Sequence, residues 1–130
     1  LESERTRRCE TWAMHFVISS TWGATDPTRA AIPFVFAATA LAAGDSVMLM
    51  LFHDAVSVAV EGAAAKLVPF GPPARFAEVF AHAGASVYVC KPCAEVRGIG
   101  EEALAPGTRF GGMVEFHAHA SRPDARVIAF

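Results

Sequence analysis

Charge is scarce in this chain of 130 residues: 18% of them are Asp, Glu, Lys or Arg, below the roughly 25% of an average soluble domain, whereas 53% are hydrophobic. A single core of this size leaves apolar surface over, and self-association is its expected outlet. Neither sign dominates, with 11 basic and 13 acidic residues. No basic stripe interleaved with aromatics is present, so nucleic acid is not an expected partner. Long apolar runs are missing too. The longest, Val47 to Phe52, has six residues, where a membrane-crossing helix needs roughly 20. The opening stretch, Leu1 to Trp12, is a polar tail without a signal-peptide core, and the expected location is the cytoplasm. Cysteine is limited to three residues, too few for a disulfide framework; thiols in such a chain are catalytic, redox-active or inert. Nucleophile elbow, phosphate-binding glycine loop and paired carboxylates are all lacking, since Gly98-Ile99-Gly100 follows the wrong element and misses the third glycine.

What is present centres on Val87-Tyr88-Val89-Cys90-Lys91-Pro92-Cys93-Ala94-Glu95-Val96-Arg97-Gly98. An apolar run enters a Cys-x-x-Cys pair, and Pro92 suits the first turn of a helix, where its missing N–H costs nothing. The pattern reads as a strand delivering two thiols to a helix start. Unpaired helix N–H groups and Lys91 are expected to stabilise the Cys90 thiolate, the reactive form. The competing reading is a cysteine at the end of a core strand that serves packing alone.

The rest of the chain alternates strand-like and helix-like stretches. Residues 13–20 read as a first strand, closing in Ser19 and Ser20. Asp26-Pro27 starts a helix that runs to Ala43 and stops at Gly44, with Pro33 expected to kink it. Its apolar residues cover more than one stripe, so one side faces the sheet and another a partner subunit. Val47 to Phe52 has no alternation, the mark of a strand covered on both faces. A helix from Ala55 to Leu67, capped by Asp54 and weakened by Gly62, is expected next. Residues 68–73 form a breaker-rich loop, a candidate flap. A helix carrying Phe76, Val79 and Phe80 leads to the third strand, 86–89; a short helix then breaks at Gly98. A weak strand at 108–111, a helix at 114–120 and a last strand at 125–130 complete one domain spanning 13–130. Such alternation predicts an α/β fold with a parallel sheet and helices on both faces. The binding crevice of such sheets lies beyond the carboxyl ends of the strands. Ser19, Ser20, His53, Asp54 and Cys90 are expected to converge there.

The order Pro33-Phe34, the apolar second strand, the cysteine segment running into Arg97-Gly98 and the closing Arg126-Val127-Ile128-Ala129-Phe130 resemble the DsrE/DsrF-like family from about Ala13 to Phe130. The resemblance implies a three-layer α/β/α fold with a mainly parallel five-stranded sheet and assembly as a homotrimer or hexamer. In the sulfur-relay members a cysteine several residues before an Arg-Gly carries persulfide sulfur between proteins, and Cys90 matches that spacing. Lys91, Pro92 and Cys93 stand where relay members have mostly small apolar residues, which aligns this chain with a two-cysteine branch.

Three functions are weighed. The first is persulfide-type sulfur transfer, with Cys90 and Cys93 as the catalytic pair, Ser19, Ser20, His53, Lys91 and Arg97 as ligand-binding residues, and a sulfur donor or acceptor protein as partner. The second is a non-catalytic oligomeric module that binds a small ligand at the strand ends. The third is thioredoxin-type dithiol exchange, disfavoured because that motif follows an early strand. No cofactor is expected. No metal is expected either, since one Cys-x-x-Cys supplies two of the four ligands of a structural zinc site. His117 and His119 lie two apart on a helix and cannot chelate together, so both read as surface or interface residues. His15 reads as a satisfied core or edge residue. Cys9 reads as incidental.

Overall fold

The computed structural model describes residues 13–67 and 74–130. The polar tail, Cys9 and the candidate flap at 68–73 lie outside the described residues. The first strand, β1 (His15–Ser20), leads into helix α1 (Pro27–Ala42), and strand β2 (Ser46–Leu51) follows. Next come a 3-10 helix (His53–Ala59) and two helices, α2 (Ala63–Lys66) and α3 (Ala74–Ala81). Strand β3 (Ala85–Cys90) runs directly into helix α4 (Lys91–Glu95). A 3-10 turn (Glu101–Ala103), strand β4 (Thr108–Gly111), helix α5 (Met113–Ala120) and strand β5 (Ala125–Ala129) complete the order. The five strands form one sheet in the order β4-β3-β2-β1-β5, and every pairing is parallel. The architecture is the expected three-layer α/β/α.

The central position of β2 follows from its composition. Val47, Leu49 and Leu51 point into the main core beneath α1 and α3, while Met48 and Met50 join Val17 in a smaller core packed by Phe116 and Ala120 of α5. All five are 0% exposed, and a polar residue on either face would be buried without water. Helix α1 starts where its cap demands, the Asp26 carboxylate accepting the Arg29 N–H at 3.1 Å with Pro27 in the first turn. Its Phe34 packs on Phe76 and Phe80 of α3, with ring centres 4.7 and 5.5 Å apart. Pro33 is buried inside the helix. Ile32 is left at the surface.

The expected helix from Ala55 to Leu67 does not form as one piece. The chain makes the 3-10 helix, then a turn, then the single turn of α2. Two features cause this. Gly62 sits at φ +84°, a left-handed conformation that interrupts a right-handed helix. Val60, two residues before it, leaves the helix to pair with Leu104 in an isolated antiparallel bridge. Asp54 is not the cap either, because Phe52 occupies that position.

Candidate functional site

Cys90 is the last residue of β3 and the cap residue of α4, as the motif predicts. It is 8% exposed and packs into the main core, whereas Cys93 is half-buried; both are free thiols. Burial pushes the Cys90 thiol up and the neighbouring Cys93 thiol adds to this, against a smaller opposing pull from the Cys93 backbone N–H. The direction is opposite to that expected from a helix start. Helix α4 has only five residues and a correspondingly small dipole, and Lys91 is exposed to solvent, so desolvation wins.

Arg97, one turn beyond Cys93, holds this turn in place. Its Nη1 donates to the Cys93 carbonyl at 3.0 Å, while Nε and Nη2 both donate to Asp54 Oδ1 at 3.1 and 2.7 Å. The side chain therefore straps the thiol-bearing turn to the loop after β2. Being partly exposed, this ion pair adds about 0–1 kcal/mol at most, and its effect is geometric. In the same loop His53 has a positive φ of 53°. Its Nδ1 accepts the Asp54 N–H at 2.8 Å, which leaves the ring proton on Nε2 of the neutral ring. The loop after β1 closes the arrangement at Gly23, where a Cβ would overlap the Asp54 carbonyl oxygen and lie 2.8 Å from Ser57 Oγ. Only glycine permits that approach. The ends of β1, β2 and β3 are thus linked in series through Gly23, Asp54, Arg97 and Cys93.

Between the first two of these loops lies a crevice of about 230 Å³ lined by Thr21, Trp22, His53 and Asp54. Arg29 stacks over the Trp22 ring at 4.5 Å. Of the expected ligand-binding residues, His53 lines this crevice, Lys91 is exposed beside the thiols, and Arg97 is engaged as the strap. Ser19 and Ser20 stay within the sheet, their carbonyls accepting the N–H groups of Phe130 and Phe52 at 2.8 Å. Thr21 and Trp22 take the place assigned to the serines; an exposed tryptophan directly after a strand was the available signal. A larger apolar groove of about 420 Å³, with Phe76, Phe80 and Pro106 in its wall, contains none of the candidate residues and lies away from the strand ends.

His119 is half-buried. Its Nδ1 lies 2.8 Å from Nε2 of the buried His15, whose Nδ1 is 2.6 Å from Ser46 Oγ. His117 is exposed, and among the described residues no group of three or more His, Cys, Asp or Glu is arranged to hold a metal ion.

The model of the DsrE/DsrF-like family matches residues 14–130. Among solved structures, the ychN protein from E. coli superposes with a TM-score of 0.68 at 21% identity, covering 90% of this chain and 99% of that one. MTH1491, a protein of unknown function from Methanobacterium thermoautotrophicum, superposes with a TM-score of 0.61 at 14% identity, covering 92% and 99%. At these identities the likeness is one of fold. No curated protein sequence matches.

Proposed function

Because the chain belongs to the DsrE/DsrF-like family, we propose that it is a sulfur carrier of the persulfide type that holds sulfane sulfur on the cysteine pair at the end of β3. The observation that carries this reading is the pair itself: two free thiols, Cys90 and Cys93, flank the junction of an interior strand and a helix, strapped by Arg97 to the neighbouring loop. A thiolate here attacks the outer sulfur of a donor persulfide, the donor thiolate leaves, and the sulfur remains as a cysteine persulfide until an acceptor thiolate removes it. Lys91, exposed between the two thiols, and His53, exposed in the loop that Arg97 reaches, are the groups available to a donor or acceptor protein and to the anionic persulfide. Ser19 and Ser20 contribute through the sheet backbone and not as direct ligands. The carrier works in the cytoplasm as a homotrimer or hexamer, with no cofactor. Among the described residues no helix is long and apolar enough to cross a membrane.

The second reading, a small-ligand module without catalysis, is favoured by the crevice of Thr21, Trp22, His53 and Asp54, to which neither cysteine contributes. Intact mass after exposure to inorganic polysulfide separates the two. A gain of one sulfur atom, lost in Cys90→Ser/Cys93→Ser, is expected for a carrier; an unchanged mass leaves the binding module.

A further inference from the structure

The two cysteines are not equivalent, and their difference runs against their order in the chain. In a Cys-x-x-Cys at a helix start the first thiol is ordinarily the one at the exposed end of the helix. Here the first, Cys90, is 8% exposed and packed in the main core with Val89 and Ala94. The second, Cys93, is half-buried, and Lys91 and Pro92 between them are exposed. The turn cannot simply rotate to exchange the two positions, since Arg97 pins the Cys93 carbonyl and is itself held by Asp54. Ala94, fully buried one residue later, anchors the other side.

Resting on the sulfur-carrier reading, we propose that Cys93 is the thiol that receives sulfane sulfur from a donor and Cys90 the thiol that stores it. In the first step the Cys93 thiolate attacks the outer sulfur of the donor persulfide R–S–SH. A Cys93 S–S bond forms, the donor S–S bond breaks, and R–S⁻ departs with the electron pair, leaving Cys93–S–SH. In the second step the Cys90 sulfur attacks the outer sulfur of Cys93–S–SH as its own proton passes to the departing Cys93 sulfur, giving Cys90–S–SH and the Cys93 thiol. Each step is an exchange that conserves charge and needs no oxidant or reductant. The direction of the second step follows from the environment. A thiol whose pKa burial has raised is a poor leaving group, so sulfur on Cys90 is displaced slowly. Its low exposure also keeps solvent thiols away.

Two measurements test this. In the wild-type protein, iodoacetamide labelling followed by peptide mass mapping reads the two thiols without any substitution. Cys93 is expected to react faster by on the order of tenfold, in line with access to the thiolate. Equal rates, or Cys90 first, would overturn the assignment whatever the protein's function. In the second, glutathione persulfide is the donor. Cys93→Ala is expected to load at least about tenfold more slowly than wild type, while Cys90→Ala still loads but loses its sulfur faster to added thiol. Normal loading of Cys93→Ala together with failure of Cys90→Ala would reverse the roles. If the wild-type protein itself does not load, the carrier reading falls, and the alkylation order still reports on the geometry.

Discussion

The pair formed by His15 and His119 should make stability depend on pH just below neutrality. His15 is 3% exposed, its Nε2 is 2.8 Å from His119 Nδ1, and the rings stack with centres 5.0 Å apart. The short contact accommodates one proton: one nitrogen donates and the other accepts. Protonating both rings would oppose two N–H groups. The surroundings favour the neutral forms. Burial comes first for both rings in holding them below the ordinary histidine range; Arg122 follows for both, then His119 acts on His15 and Arg109 on His119. Asp124 pulls His15 the other way, but its carboxylate is bound by Arg122 at 2.7 and 2.9 Å. From the other packed elements, Ser46 of β2 meets His15, and Tyr88 of β3, carrying Arg109 of β4 over its ring, meets His119 edge-on.

The sign follows directly. With both folded rings held below the ordinary histidine value of about 6.5, the unfolded chain binds protons first as pH falls. The fold is therefore most stable above about 6.5 and loses stability from there down through the folded values. Two protons limit the slope to about 2.7 kcal/mol per pH unit, at about 1.4 kcal/mol for each. Urea unfolding followed by circular dichroism between pH 8 and pH 5.5 measures it. His119→Gln, which keeps a hydrogen-bonding side chain and cannot titrate, should lower stability at pH 8 and flatten the slope. A wild-type stability that is constant or rises towards pH 5.5, or a His119→Gln slope equal to that of wild type, would refute this account of the pair.

Met50→Ala should cost about 2–5 kcal/mol, because Met50 is fully buried in the small core under α5, and urea midpoints will read the loss. Asp54→Asn should change stability by no more than about 1 kcal/mol, since the Arg97 pair is partly exposed. It should nevertheless speed hydrogen exchange at the amides of residues 96–98, and unchanged exchange there would mean that Arg97 is not a strap. Light scattering at micromolar concentration should give a trimer or hexamer; a monomer would leave the surface residue Ile32 of α1 without a partner.

Where local chemistry decided the outcome, the sequence was legible. The Asp26-Pro27 cap, the unbroken apolar run of β2 and the strand entering the cysteine pair each specify their element with groups close in the chain. Thr108–Gly111, Met113–Ala120 and Ala125–Ala129 likewise fall within one residue of expectation. The errors lie where distant groups decided. The stretch after Asp54 is rich in alanine and valine, which suits an α-helix as well as a 3-10 helix, and the choice went to a bridge between Val60 and Leu104. From its neighbours Asp54 looks like a cap, whereas its partner, Arg97, is 43 residues away. From its own helix His119 reads as a surface or interface residue, because its contact, His15, is 104 residues away. The thiol environment is hidden for a related reason: spacing shows that Cys90 meets a helix start, but not that the helix is short or that the sulfur is buried.

Sulfur carriage by the cysteine pair is tested by loading the protein with radiolabelled sulfane sulfur from inorganic polysulfide, removing the excess, and releasing the label with dithiothreitol as sulfide. One labelled sulfur per chain is expected for the wild-type protein and none for Cys90→Ser/Cys93→Ser. Equal labelling of the two proteins, or none in either, would show that the pair does not carry sulfur.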